Sequence, residues 1–590
     1  VARYGILHPV SFITLENVSY AYTLPDGKAL PALRNVSLRL EAGEFVAIVG
    51  ANGSGKSTLA RHLNGLLLPQ QGSVRVAGYD TRDRLQRRAI RRLVGMVFQR
   101  PEDQLIAATV QDDVAFGLEN QALPPALIRQ RVREALEWVG LWEARLRPPL
   151  QLSAGQMQRV ALAGVLALRP RCIVFDEATA MLDPGGRRRV RALMAQLHAE
   201  GITLITITHF MEEAAEAQRV IVLDRGQVVQ DGPPEMVFRC GETLAAYGLD
   251  LPPATALGCA LRRFFPALPV PVLRVEELAA ALAPLRPARP APVLPPAPPP
   301  PSAPPLIEVT GLSYTYAADT PLAQPALEEV DLLVPERAGY GLLGATGSGK
   351  STLLQHLNAL LRPQQGRVRV GPYDLSDPQL DPRMVRRSVG LAFQMPEMQI
   401  FEQYVGDEIA YGPRLLGLPK PELRERVRWA MELVGLDFER FKDRFTFALS
   451  GGERRKVALA SVLALKPSIL LLDEPTAGLD PLARRELLQR LRMLRLAGLT
   501  LVLSSHQMED LAALTEAVTV LAQGRVRLAG PIADVFAQGA AWSALGLDYP
   551  VVTQLVTALR AQGWPLPATL LRLEELLAFL EQWLGQGEAP

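Results

Sequence analysis

The chain has 590 residues, 48% of them apolar; at about 150 residues per domain this allows roughly four folded units and excludes wholesale disorder. Lys and Arg number 63 against 61 Asp and Glu, a net charge of +2, so there is no global electrostatic footprint for nucleic acid. No run of about 18 apolar residues predicts a spanning helix, and three cysteines, Cys172, Cys240 and Cys259, suggest no disulfide framework and fit a reducing compartment. The first residues lack a charged flank followed by an apolar stretch, so no leader is expected.

In chain order, residues 44–49 (EFVAIV) predict a buried strand. The next segment, Gly50 to Ser57, has the spacing G-x-x-x-x-G-K-S of a phosphate-binding loop. Its glycines let backbone N–H groups converge on an anion, and a helix opening near Lys56 adds its positive end. Lys56 is expected to reach the β- and γ-phosphates and Ser57 to ligate Mg²⁺. FQRPEDQ follows at 98–104 and LSAGQ at 152–156. An apolar strand at 172–177 (CIVFDE) ends in Asp176, expected to hold the Mg²⁺ shell, and Glu177, expected to polarise the attacking water. The run Arg82, Arg84, Arg87, Arg88, Arg91 and Arg92 reads as a solvated face.

The whole pattern then returns. GATGSGKSTL at 344–353, FQMPEMQ at 393–399, LSGGE at 449–453 and LLDEPTAGLDP at 471–481 repeat the first set in order. The offset is 294 residues at the loop lysine (Lys350) and 297 at the strand-end aspartate (Asp473, followed by Glu474). It is 297 again between His209 and His506. Near-constant offsets mean a tandem duplication with small insertions. Between the copies, residues 284–305 hold 12 prolines in 22 positions. Proline lacks a backbone donor, so this stretch is expected to join neither sheet nor helix; fully extended at ~3.1 Å per residue it reaches roughly 70 Å, enough to connect two domains side by side. Each copy also carries a small tail, in which LRVEELAAAL at 273–282 matches LRLEELLAFL at 571–580. Leu573, Leu576, Leu577, Leu580 and Leu584 fall on one helical face. His62 and His356, six residues past each loop lysine, read as helix-packing residues.

With LSAGQ and LSGGE beside two phosphate-binding loops, the chain resembles the ATP-binding-cassette ATPases over nearly all of its length outside the linker. The resemblance implies an α/β fold: two P-loop ATPase domains in tandem, each with a helical signature subdomain and a small C-terminal helical extension. The expected boundaries are 12–247 and 248–283 for the first copy, 284–305 for the linker, and 306–545 and 546–590 for the second. ATP and Mg²⁺ are the implied ligands. In the first copy Tyr22, Gly50, Asn52, Gly53, Gly55, Lys56, Ser57 and Thr58 correspond to ATP-binding positions. In the second they are Tyr316, Gly344, Thr346, Gly347, Gly349, Lys350, Ser351 and Thr352. Tyr22 and Tyr316 resemble the aromatic that stacks on adenine. Gln99 and Gln394 resemble the glutamines that touch Mg²⁺ and the attacking water, and with Ser57, Asp176, Ser351 and Asp473 they complete the implied metal set. His209 and His506 resemble the switch histidines at the γ-phosphate, Asp183 and Asp480 the D-loop aspartates, and Ser153, Gly155, Ser450 and Gly452 the signature residues.

In this family the signature of one domain closes over the phosphate loop of the other. The resemblance therefore implies two ATP molecules in a head-to-tail sandwich within one chain, needing no obligate homodimer. Lys56, Asp176, Glu177 and His209 would face Ser450 and Gly452; Lys350, Asp473, Glu474 and His506 would face Ser153 and Gly155. Ala154 departs from the glycine usual in the signature. The segments TVQDDVAFG (109–117) and YVGDEIAYG (404–412), with DEATAMLDP and DEPTAGLDP, resemble the A and A′ ATPases of energy-coupling factor importers for vitamins or transition-metal ions. That implies a peripheral position on the cytoplasmic face of the membrane, with a transmembrane coupling protein and a substrate-binding membrane protein as partners. The coupling protein would dock on 100–109 and 395–404; Leu105, Ile106, Ile400 and Phe401 are either docking residues or core. Three alternatives fit less well. A tandem sugar-importer ATPase usually has one degraded site, a tandem-cassette translation factor has a long basic linker, and a DNA-repair or chromosome ATPase has zinc cysteines or a coiled coil. No nucleic-acid partner is expected.

Overall fold

The computed structural model describes residues 11–23, 27–180, 182–287, 290–292, 304–320, 323–394, 399–538, 542 and 545–585, with residue 154 described by its backbone. The chain divides into two units. One comprises Val1–Cys259, Pro269–Glu277 and Asp480–Leu482, the other Ala260–Leu268, Leu278–Leu479 and Ala483–Pro590.

The first unit runs β1 (Ile13–Thr23), β2 (Ala29–Leu40), β3 (Phe45–Val49), α1 (Lys56–Leu63), β4 (Gln71–Val76), β5 (Tyr79–Asp80), α2 (Arg87–Leu93) and β6 (Val94–Val97). Next come α3 (Val110–Glu119), α4 (Pro125–Trp138), α5 (Ala154–Ala167), β7 (Cys172–Asp176), α6 (Pro184–Ala199), β8 (Thr203–Ile207), α7 (Met211–Ala214), β9 (Arg219–Asp224) and β10 (Gln227–Gly232). Short helices follow: α8 (Pro234–Val237) and α9 (Gly241–Ala246), then α10 (Pro253–Leu261) and α11 (Val275–Leu282), whose last residues, from Ala260 and from Leu278, belong to the second unit. An antiparallel sheet has the order β2-β1-β4-β5, and a six-stranded sheet the order β10-β9-β3-β8-β7-β6. In the latter, β9, β3, β8, β7 and β6 are parallel and β10 is an antiparallel edge.

The buried strands are apolar on both faces because each face meets a different layer. Val46 and Ile48 of β3 and Cys172 and Val174 of β7 pack with Ile13, Leu38 and Leu59, on the side of the antiparallel sheet. Their alternates Ala47, Val49, Ile173 and Phe175 pack with Leu136 of α4 and Val160 of α5. The period of two in a strand sorts one continuous apolar run into two cores. On α3, Val110, Val114 and Leu118 recur every four residues and join the second core.

The second unit repeats this plan with β11 (Pro305–Tyr316), β12 (Gln324–Pro335), β13 (Gly339–Leu343), α12 (Lys350–Leu357), β14 (Gln365–Val370), β15 (Tyr373–Asp374), α13 (Pro382–Ser388) and β16 (Val389–Ala392). It continues through α14 (Val405–Leu415), α15 (Lys420–Leu433), α16 (Phe438–Phe441), α17 (Gly451–Leu463), β17 (Ile469–Asp473), α18 (Pro481–Leu496), β18 (Thr500–Ser504), α19 (Met508–Leu514), β19 (Ala517–Ala522), β20 (Arg525–Pro531) and α20 (Ile532–Ala537). Its tail holds α21 (Val551–Ala561) and α22 (Leu573–Leu584). The sheet orders, β12-β11-β14-β15 and β16-β17-β18-β13-β19-β20, mirror the first unit.

On α22, Leu576, Leu580 and Leu584 of the expected stripe are buried, joined by Phe579 and Trp583, whereas Leu573 and Leu577 are half-buried. The proline-rich segment departs from expectation at both ends. Ala283–Leu285 forms one 3₁₀ turn, and Pro305 opens β11. Proline is tolerated at the first residue of a strand, where its missing N–H breaks no interior ladder bond. Residues 288, 289 and 293–303 of that segment lie outside the described residues. Among the described residues, no helix is long and apolar enough to cross a membrane.

Candidate nucleotide site in each copy

The loop after β3 reverses tightly into α1. A Cβ on Gly50 would come within 2.3 Å of Leu223 O and 2.5 Å of Ser54 Oγ, and Gly55 has φ +104°. Gly344 and Gly349 meet the same limits, with a Cβ 2.4 Å from Leu521 O and φ +104°. These positions need glycine for sterics and left-handed backbone respectively. Asn52 and Gly53, and Thr346 and Gly347, lie within the two loops. Lys56 opens α1, is buried, and donates from Nζ to Gly50 O (2.9 Å) and Ala51 O (3.0 Å). Lys350 does the same to Gly344 O (2.7 Å) and Ala345 O (3.1 Å). Burial lowers the Lys56 pKa, opposed by the nearby charge of Glu177.

The strand-end carboxylates converge on these loops. Ser57 Oγ donates to Asp176 Oδ1 at 2.9 Å. Glu177 follows the end of β7 with φ +52°, and its N–H donates to Ile207 O at 3.0 Å. One of its oxygens accepts Gln99 Nε2 at 2.8 Å, and the other lies 2.7 Å from His209 Nε2. In the second copy Glu474 has φ +50° and its Oε2 lies 2.7 Å from His506 Nδ1. Its other oxygen is 4.0 Å from Lys350 Nζ. Burial pushes Asp176 and Asp473 up, with the Ser57 and Ser351 hydroxyls opposing. Burial acts in the same sense on Glu177 and Glu474, yet histidine and lysine hold both carboxyls below their usual range. The surroundings thus favour the ionised form of each glutamate.

Other expected residues fall nearby or apart. Tyr22 Oη lies 3.2 Å from Thr58 Oγ1, and Tyr316 Oη 3.2 Å from Thr352 Oγ1, so both phenol hydroxyls reach the first turn of the loop helix. Gln394 is exposed, and its carbonyl accepts Arg455. Its flank at 395–398 lies outside the described residues. Ser153 and Ser450 are exposed N-caps of α5 and α17, each in a capping box with Gln156 or Glu453. Gly155 and Gly452 are in the first turns of those helices, and the Ala154 side chain is outside the described residues. Asp183 caps α6 by accepting Gly186 N at 2.6 Å. His62 and His356 are fully buried, with Nδ1 2.7 Å from Thr58 O and Thr352 O. They pack in their helices as expected. Leu105 and Ile400 pack against the cores, whereas Ile106 and Phe401 are 65% and 57% exposed.

The residues present fit ATP with Mg²⁺. Ser54 Oγ and Ser348 Oγ, inside the two loops, are buried without a hydrogen-bond partner, as suits a cradle built for an acceptor-rich ligand. The Ser57–Asp176 pair offers the hard oxygen donors that Mg²⁺ takes.

Two residue pairs escaped the sequence reading: Glu213 with Asp510, and Asp113 with Glu408. Glu213 and Asp510 each stand four residues past the paired histidine, at the same offset of 297. That repetition was the available signal.

A family model described as ABC transporter matches residues 33–180 and 327–477. The chain belongs to the ABC transporter ATP-binding family. It carries two tandem cassettes that bind and hydrolyse ATP. A protein of Methanosarcina mazei named as an ABC transporter ATP-binding protein is 36% identical over 588 residues, covering 97% of this chain and 97% of its own length. The energy-coupling factor transporter ATP-binding protein EcfA1 of Symbiobacterium thermophilum is 53% identical over 276 residues, 46% of this chain and 96% of its own. A solved structure, cbiO1 from Clostridium perfringens, described as part of an ABC transporter complex, is 36% identical and covers 40% of this chain and 94% of that one, with a TM-score of 0.36.

Proposed function

We propose that this chain is the energising ATPase of an energy-coupling factor importer for vitamins or transition-metal ions. On this reading it works at the cytoplasmic face of the membrane, with a transmembrane coupling protein and a substrate-binding membrane protein. One observation carries it: both cassettes hold a buried Glu–His pair beside a phosphate-loop lysine. Neither site is degraded, and the similarity to EcfA1 proteins points to the importer class.

Phosphoryl transfer to water needs positioning and charge stabilisation more than covalent chemistry. Lys56 and Lys350 would supply positive charge at the β- and γ-phosphates, with the loop N–H groups beside them. Mg²⁺, held by Ser57 and Asp176 or by Ser351 and Asp473 with Gln99 or Gln394, would neutralise charge on the phosphate oxygens. Glu177 and Glu474, kept ionised, would accept a hydrogen bond from the attacking water. His209 and His506 hold those carboxylates and would turn to the γ-phosphate when it is present. Ser450 with Gly452, and Ser153 with Gly155, would complete the sites of the opposite cassette, so that ATP binding closes the pair and hydrolysis reopens it.

The exposed side chains Ile106 and Phe401, each seven residues past Gln99 or Gln394, suit contact with an apolar partner surface. Replacing both by serine should leave ATP binding unchanged, because neither touches the phosphate loop. It should weaken assembly with the transmembrane partner, each buried aliphatic or aromatic group being worth ~1.5–3 kcal/mol. Copurification beside nucleotide-binding measurements tests this. Intact assembly would place the contact elsewhere, and lost ATP binding would make these residues structural.

A further inference from the structure

Behind each Glu–His pair lies a second acid that the hydrolytic reading leaves unused. Glu213, on α7, is buried. Its Oε2 accepts Thr208 Oγ1 at 2.7 Å and Thr179 Oγ1 at 2.9 Å. Thr208 immediately precedes His209, and Thr179 stands two residues past Glu177. One carboxylate oxygen therefore grips both chain segments whose side chains make the 2.7 Å Glu177–His209 contact. The other oxygen faces Arg187 in the first turn of α6, with Nε 3.9 Å away. That guanidinium lies 3.6 Å from the centre of the Phe210 ring.

The second cassette repeats the arrangement. Asp510, on α19, is fully buried. Its Oδ2 accepts Thr476 Oγ1, and its Oδ1 accepts Arg484 Nε at 2.8 Å and lies 2.6 Å from the second guanidinium nitrogen. Thr476, Arg484 and Asp510 are Thr179, Arg187 and Glu213 displaced by 297 residues. The third donor differs. Ser505 replaces Thr208, and its Oγ accepts Gln507 N at 2.9 Å.

A buried carboxylate is costly unless it is paired and hydrogen-bonded. Packing alone would be served as well by an apolar side chain in both places. Burial pushes the Glu213 carboxyl up, with Arg187 and the two hydroxyls opposing. An acid retained at the same place in both copies, with a hydroxyl from the segment past the glutamate and a guanidinium from the next helix, does something that an apolar group cannot. It couples the segment bearing the glutamate to the helix that begins at the D-loop.

We propose that Glu213 and Asp510 are positioning residues for ATP hydrolysis, fixing the separation of Glu177 from His209 and of Glu474 from His506, and tying each pair to the first turn of α6 or α18. The inference rests on the assignment of those pairs as the hydrolytic groups. The acids touch no substrate and act through the threonines and arginines.

The test uses the full chain carrying Glu213→Gln with Asp510→Asn. The amides keep an acceptor oxygen for the threonines and lose the charge that holds the arginines. Expected are a lower Tm from the broken ion pairs and an ATP KM close to the wild type with kcat lower by about tenfold or more, since small displacements of reacting groups cost rate steeply. Exchanging the acids, Glu213→Asp with Asp510→Glu, restores charge at altered reach and should recover most of kcat. A chain with unchanged kcat, or one in which Tm, KM and kcat fall together and the acid exchange does not recover kcat, overturns the proposal. If the amide variant fails to fold, Thr179→Val with Thr476→Val leaves the acid–arginine pairs in place, and kcat must fall at constant KM. The reference is Glu177→Gln with Glu474→Gln. Turnover surviving there overturns the hydrolytic assignment and this inference with it; turnover lost there but normal in the amide variant overturns this inference alone.

Discussion

Glu177 and Glu474 adopt left-handed backbone at φ +52° and +50°, a conformation that costs a non-glycine residue roughly 1–2 kcal/mol. The cost is met locally, because in that conformation each N–H still donates to the end of the neighbouring strand, at Ile207 O (3.0 Å) or Ser504 O (3.1 Å). The side chain is thereby turned from the core toward the lysine and histidine. Replacing both by glutamine removes the carboxylate while keeping the shape, and turnover should fall by at least about a hundredfold with ATP binding retained; a phosphate-release assay beside a binding titration reads both. His62 and His356 lead to a prediction about stability. Burial holds both imidazoles below their ordinary pKa of 6.5. The unfolded chain therefore takes up protons near pH 6.5 that the folded chain refuses. Stability should fall as pH drops below about 6.5, by at most ~1.4 kcal/mol per pH unit per histidine. Thermal melts between pH 7 and pH 5 should show this, and His62→Gln with His356→Gln should flatten the slope.

At the scale of the element, the loops expected to dock a partner are held from inside by an acid on the helix that follows. Asp113 of α3 accepts Ile106 N at 2.7 Å and Ala107 N at 3.0 Å. Glu408 of α14, itself buried, accepts Phe401 N at 3.1 Å and Glu402 N at 2.8 Å. Asp113→Ala with Glu408→Ala should loosen both loops. Faster amide exchange is expected at 106–107 and 401–402, with weaker partner copurification and ATP binding unchanged. The same loops show where sequence reading ends. Leu105 and Ile106 are adjacent and both aliphatic, so their pattern does not separate core from surface; the fold holds the amide of the first on Pro101 O and that of the second on Asp113. Glu213 was hidden for another reason, since it stands among the acids of EEAAE and reads as solvated helix. The strands were legible because a run such as CIVFD, buried on both faces, carries its layer assignment in its own alternation. The phosphate loops were legible because sterics leave glycine little choice at Gly50 and Gly55. Pro305 misled because proline is barred from the interior of a sheet and not from the first residue of a strand.

At the scale of the whole molecule, the near-balanced charge has a consequence for the choice of partner. With a net charge of +2, the chain should not bind ribosomes or nucleic acid stably at ~0.15 M salt, where scattered phosphate contacts are screened; cosedimentation that persists there would favour a translation-factor reading. On the proposed function, the two cassettes would serve each other within one chain, closing over ATP. The most direct measurement is small-angle scattering or intramolecular energy transfer on the hydrolysis-blocked Glu177→Gln, Glu474→Gln chain, with and without Mg-ATP, over a range of protein concentrations. Adding Mg-ATP should give a more compact monomer, with the same transition at every concentration down to the nanomolar range. Compaction that appeared only as the concentration rose, together with a doubling of mass, would show that closure takes place between chains and would contradict closure within one chain.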